Sequence, residues 1–221
     1  MKKLVYLFAG GAVLAGALTE MSAQCVIEGG VALAQPKSAP ALNQRYQISA
    51  GAVEQAAGPR AVVYLEGSFP AATNGAPAVA RMAQRQFRFD PVLLPVRTGT
   101  TVEFPNYDAG YHNVFSYSKP KRFDLGRYRT EEKPAAVVFD QPGAIKLYCE
   151  IHDHMRATIL VLDTPHFTVT DDKTGKYRLE QLPAGNYLLK AWLDEKRVLE
   201  KPVTLKAGET LRVDFSAAPA P

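Results

Sequence analysis

From residue 60 to residue 163 the apolar positions fall in short runs rich in β-branched and aromatic side chains. They are RAVVYLEG (60–67), RQFRFDPVLLPV (85–96), TTVEF (100–104), HNVFSYS (112–118), AAVVFD (135–140), AIKLYC (144–149) and ATILVLD (157–163). RTGT, PNYDAG and DQPG separate them with the Gly, Pro, Asn and Asp of turns. No window sustains a 3.6-residue apolar period over a helix's length. The pattern predicts an all-β sandwich or barrel. For residues 68–84 it leaves a long loop and a short helix both open.

After Asp163 and a short join, TPH, a second set of alternating stretches begins. Tyr177 and Leu179, then Tyr187, Leu189 and Ala191, then Val203 and Leu205, then Leu211, Val213 and Phe215 each share one face at period two. LPAGNY and KAGET are their turns. A unit of this size has a marginal core by itself, so it is expected to dock on the first. The segment GKYRLEQLPAGNYLLKAW (175–192) resembles the carboxypeptidase regulatory-like β-sandwich modules in its G-x-Y-x-L-x-x-L-P-x-G-x-Y core. That resemblance implies a fold and no activity, with the tyrosines and Trp192 as core and turn residues.

The amino terminus reads differently. MKK is followed by the apolar run from Leu4 to Leu18 and a polar break at Thr19 and Glu20. The run is short of the roughly 20 residues that cross a bilayer as a helix, and suits a secretory signal. ALAQP places the expected cut after Ala34, with an earlier cut near Ala23 also open. Gln24 stands before Cys25 where a lipoprotein signal has a small residue. The expected division is therefore 1–34 signal, 35–44 flexible lead-in, 45–164 first sandwich, 165–217 second sandwich and 218–221 tail. The chain is expected in the periplasm, as a monomer without stable membrane insertion once the signal is removed.

The net charge of +4 is a mild excess, and no basic run suggests nucleic-acid binding. Cysteine usage is more informative. Loss of residues 1–34 removes Cys25 and leaves Cys149 as a single thiol in an oxidising compartment. Such a thiol must be buried or held by a metal.

Cys149 lies in LYCEIHDHM (147–155), a C-x2-H-x2-M spacing of Cys149, His152 and Met155. The segment packs a thiol, two imidazoles and a thioether into one hairpin loop. His112, in PNYDAGYHNVFS, is the single histidine upstream of it. It begins an expected strand, and an antiparallel sandwich can bring a strand's start beside its neighbour's end. One thiolate, two imidazoles and a thioether form a soft set suited to copper, whereas zinc almost never takes a methionine. His154 is an alternative to His152 through a C-x4-H spacing, and His166 lies at the join as a surface histidine.

With these residues in view, the region 42–163 resembles the cupredoxins, and among them the amicyanin and plastocyanin-like branch. GTTVEFPN, the HN at 112 and 113, the contracted loop and RATILV occur in the family's order. The resemblance implies Greek-key connections and one type 1 copper ion held by His112, Cys149, His152 and Met155. It further implies that Asn113 ties the two ligand-bearing segments together by hydrogen bonds. Asp153 departs from the branch, which usually has proline after the loop histidine. The implied role is one-electron transfer through the edge of His152 to a cytochrome c or a periplasmic dehydrogenase. Copper handling and a metal-free binding module remain the alternatives. Catalysis is not expected, because multicopper oxidases need many more histidines than the four present.

Overall fold

A computed structural model describes residues 24–33, 58–69, 78–130, 132 and 136–216. Residues 1–23, the whole of the expected lead-in and the tail lie outside them. The described residues are all-β, and their strands form two sandwiches.

The first sandwich spans residues 78 to 163. Its larger sheet runs β6 (Leu93–Arg97), β12 (Arg156–Leu162), β11 (Gly143–Tyr148), β8 (His112–Ser116), β9 (Phe123–Tyr128) in spatial order. Its smaller sheet runs β10 (Ala136–Phe139), β7 (Thr100–Glu103), β3 (Val79–Arg81). A separate hairpin joins β4 (Ala83–Arg85) to β5 (Arg88–Asp90). Alternation decides what each strand buries: Ile145 and Leu147 of β11 point inward while Lys146 between them is exposed. Val96, Val102, Val114, Phe139 and Ile159 close the same core. Residues 78–84 form strand pieces rather than a helix. Strand β9, FDLGRY, escapes a reading by pattern because Gly126 and two charges interrupt its alternation. Gly126 takes a φ of +69°, which glycine adopts without strain.

The second sandwich corrects the expected division. Its sheets are β14 (Lys176–Leu182), β1 (Cys25–Gly30), β17 (Thr210–Arg212) and β13 (Phe167–Val169), β2 (Val62–Glu66), β15 (Gly185–Asp194), β16 (Arg197–Leu205). Thus β1, assigned above to a removed signal, is the central strand of a sheet. Likewise β2, the expected first strand of the first sandwich, pairs with β13 and β15. The first sandwich is inserted between β2 and β13. Physically, the C-terminal residues cannot close a core alone, and Cys25, Ile27, Val31, Ala61, Val63 and Leu65 complete it. Gly29 explains part of the fit of β1, since a Cβ there would lie 1.8 Å from the Val213 carbonyl oxygen. Cys25 is a second buried free cysteine, in the core of the other sandwich, so Cys149 is not the single thiol of the fold.

The two units dock as expected. Val62, Leu93, Leu160, Leu162 and Trp192 form a separate apolar cluster at the join. Strand β12 is therefore buried on both faces, with Ile159 and Val161 in one core and Leu160 and Leu162 in the join. Trp192 is the largest member of the join, and its indole is buried. Trp192→Ala is expected to lower stability by about 3 kcal/mol, as for other buried large aromatics, measured as a shift in the denaturant midpoint.

Candidate metal centre

Strands β8 and β11 are antiparallel neighbours, with Tyr148 opposite Phe115. This register sets His112, the first residue of β8, beside the loop that leaves β11 at Cys149. The donor atoms of His112, Cys149 and His152 all lie within 4.8 Å of one another. The Nδ1 atoms of His112 and His152 face each other at 3.1 Å, and Cys149 Sγ lies 3.7 Å from His152 Nδ1. His112 is 0% and Cys149 3% exposed, whereas His152 is half-buried. Met155 is also buried, in the same core cluster as Cys149. Its N–H donates to the His152 carbonyl at 2.9 Å, closing the contracted loop as a turn.

Asn113 lies between the two segments. Its Oδ1 accepts the Glu150 N–H at 2.7 Å, next to Cys149, and its Nδ2 donates to Asp124 at 3.3 Å. His154 is directed elsewhere: its Nε2–H donates to the Phe87 carbonyl at 3.0 Å. His166 packs edge-on against Phe69.

Three residues of the site were not singled out by the sequence. Asp108, four positions before His112, accepts the His112 Nε2–H at 2.9 Å. A carboxylate only accepts, so the proton sits on Nε2 and the Nδ1 lone pair faces His152 and Cys149. Asn106 builds the loop that presents both residues. Its Oδ1 accepts the Asp108 N–H at 2.8 Å, and its Nδ2 donates to the Gly110 and Tyr128 carbonyls, each at 3.0 Å. The signal available was the Asn-x-Asp turn in PNYDAG. Phe87, at the tip of the β4–β5 hairpin, sets its ring edge-on to His152 and His112, with centroids at 5.1 and 5.6 Å. Nothing local in RQFRF marks that contact.

The electrostatics favour neutral imidazole at the centre. Burial, then the neighbouring His112 and His154, lower the His152 pKa against an opposing pull from Asp108. Burial raises the Asp108 carboxyl, but donation from Phe87, His112 and Gln86 outweighs it and holds the group below its ordinary value. Two facing nitrogens 3.1 Å apart are satisfied by a shared proton or a shared cation. Both are within reach of one ion at a metal–nitrogen distance of about 2 Å. The donor set fits a soft metal ion.

No protein-family model matches the chain, and no curated protein does. Among solved structures, the chain is similar to a purple cupredoxin from Nitrosopumilus maritimus, at 24% identity and a TM-score of 0.34 over 38% of this chain and 99% of that one. It is similar to a copper-containing nitrite reductase from Thermus scotoductus, at 24% identity and a TM-score of 0.37 over 45% of this chain and 25% of that one. It is similar too to amicyanin from Paracoccus versutus, at 19% identity and a TM-score of 0.35 over 45% of this chain and 97% of that one.

Proposed function

We propose that this chain is an exported copper protein of the cupredoxin type that carries single electrons between envelope redox proteins and catalyses no reaction. The observation that carries the reading is the convergence of His112, Cys149 and His152 from two separate segments. Those residues, with Met155, would hold one copper ion, which supplies a one-electron couple. The chain's own contribution is rigidity. Both strands are anchored in one core, and Asn113 bonds one segment to the other, so the ligands keep their places when the charge at the centre changes.

Among the described residues, Phe87, Tyr107, Tyr111 and Ile151 are exposed large apolar side chains that adjoin the site. Tyr111 and Ile151 are the immediate neighbours of His112 and His152. A small apolar surface of this kind suits brief docking on a cytochrome c or a periplasmic dehydrogenase, with weak complexes that form and part quickly. The protein acts as a monomer. Residues 24–33 belong to the fold, so export would remove the chain up to about Ala23 rather than Ala34. No helix among the described residues is long and apolar enough to cross a membrane. The smaller sandwich is read as a carboxypeptidase regulatory-like module.

The test is to load the purified protein with Cu(II) and record its visible spectrum. An intense thiolate charge-transfer band that bleaches with ascorbate and returns with oxidant supports the carrier. Colourless, tight Cu(I) binding with hand-over to a second protein would replace the carrier with copper handling. Failure to bind copper in either state would leave a binding module. The His154→Ala variant is expected to keep the band, because the His154 Nε2 is engaged with Phe87; its disappearance would return His154 to the ligand set.

A further inference from the structure

The Asp108 carboxylate collects three donors. Its Oδ1 accepts the Gln86 N–H at 2.6 Å, and its Oδ2 accepts the Phe87 N–H at 2.9 Å as well as the His112 Nε2–H at 2.9 Å. Gln86 and Phe87 are the two turn residues of the β4–β5 hairpin, with φ of 53° and 57°. Positive φ at both turn positions is the geometry that ordinarily selects Asn-Gly or Gly-Gly. Here it carries a glutamine and a phenylalanine, which the left-handed region disfavours. Backbone held in a disfavoured conformation is characteristic of functional positions.

The position of Phe87 gives the strain a purpose. The side chain is 48% exposed, so core burial does not account for a phenylalanine at the tip. Its ring instead lies against both imidazoles of the cluster. One carboxylate thus holds the cover and the most deeply buried histidine together. His112 is 0% exposed, so no bulk water competes for its Nε2–H.

We propose that Asp108 is a positioning residue that fixes the His112 tautomer and seats Phe87 as a cover, which keeps small external ligands such as azide off an ion held by His112, Cys149 and His152. The ligand-exclusion half rests on the copper reading above; the latch itself needs no metal. Loss of the carboxylate frees the hairpin tip and the imidazole at once. Loss of the phenyl ring opens the site while leaving the latch in place.

Two experiments test this. In the metal-free protein, nitrogen NMR is expected to find His112 as the Nε2–H tautomer. Asp108→Asn, which turns one acceptor into a donor, is expected to mix the tautomers and to speed amide exchange at Gln86 and Phe87 at least about tenfold. In the Cu(II)-loaded protein, Phe87→Ala at its exposed site is expected to bind azide at least about tenfold more tightly than the unmodified protein, read as a shift of the visible band. Unchanged tautomer and exchange in Asp108→Asn would overturn the latch, and equal azide affinity with and without the phenyl ring would overturn the cover. Failure to load copper would count against the proposed function, while the metal-free experiment would still decide the latch.

Discussion

Replacing Cys149 with serine is expected to abolish the intense visible band proposed for the Cu(II)-loaded protein and to leave the all-β fold standing. The sulfur is the one group in the cluster that can bind a metal ion as a thiolate, the form in which cysteine ligates metals. A serine hydroxyl in the same place keeps its proton and cannot give the charge-transfer transition. The remaining imidazoles could still bind copper, with a weak spectrum. Cys149 is 3% exposed and packs with Val114, Leu147 and Met155, so an unpaired hydroxyl there costs about 1–3 kcal/mol. That loss is small against the total stability of about 5–15 kcal/mol expected for a domain. Circular dichroism should therefore be near normal while the colour is gone. Full colour in the variant would exclude Cys149 as a ligand.

A chain that starts at residue 35 is expected to lose the smaller sandwich altogether. Such a chain lacks β1, which lies between β14 and β17 and pairs with both. It also lacks Cys25, Ile27 and Val31, all buried in that sandwich's core. Removing even one large apolar side chain from a core costs about 2–5 kcal/mol. Three such losses, together with two rows of unmade backbone hydrogen bonds, exceed what a small domain has in reserve. Limited proteolysis should then cut β14 to β17 at rates at which the full chain resists, and thermal unfolding should lose its smaller-sandwich component. Equal protease resistance in the two chains would show that β1 is dispensable. If export occurs as proposed, mass spectrometry of the processed protein is expected to find an amino terminus upstream of Cys25.

Most of the first sandwich's strands were legible because they are short runs rich in β-branched and aromatic residues bounded by turn signals. AIKLYC buries every second residue and ATILVLD is a continuous apolar run buried on both faces, and both became strands at close to their expected bounds. The meeting of His112 with Cys149 was legible as well. A strand that starts with one residue and a strand that ends with the other need only lie antiparallel, as β8 and β11 do. Harder to read were CVIEGG and RAVVYLEG. The first followed an apolar leader and the second preceded the strands that carry His112 and Cys149, so adjacency in sequence suggested the wrong company for each.

The sequence by itself determined the all-β class, the alternation of buried faces and the supply of soft donors at C-x2-H-x2-M and position 112. These depend on local chemistry and on a two-residue period, both of which a linear string contains. Only the tertiary structure decided that β1 and β2 complete the C-terminal sandwich, that Asp108 orients His112, and that the tip of a distant hairpin lays Phe87 on the imidazoles. Periodicity tells which face of a strand is buried, not which strand will bury it. That choice is made by whichever distant surface fills the remaining apolar volume and pairs the open backbone groups.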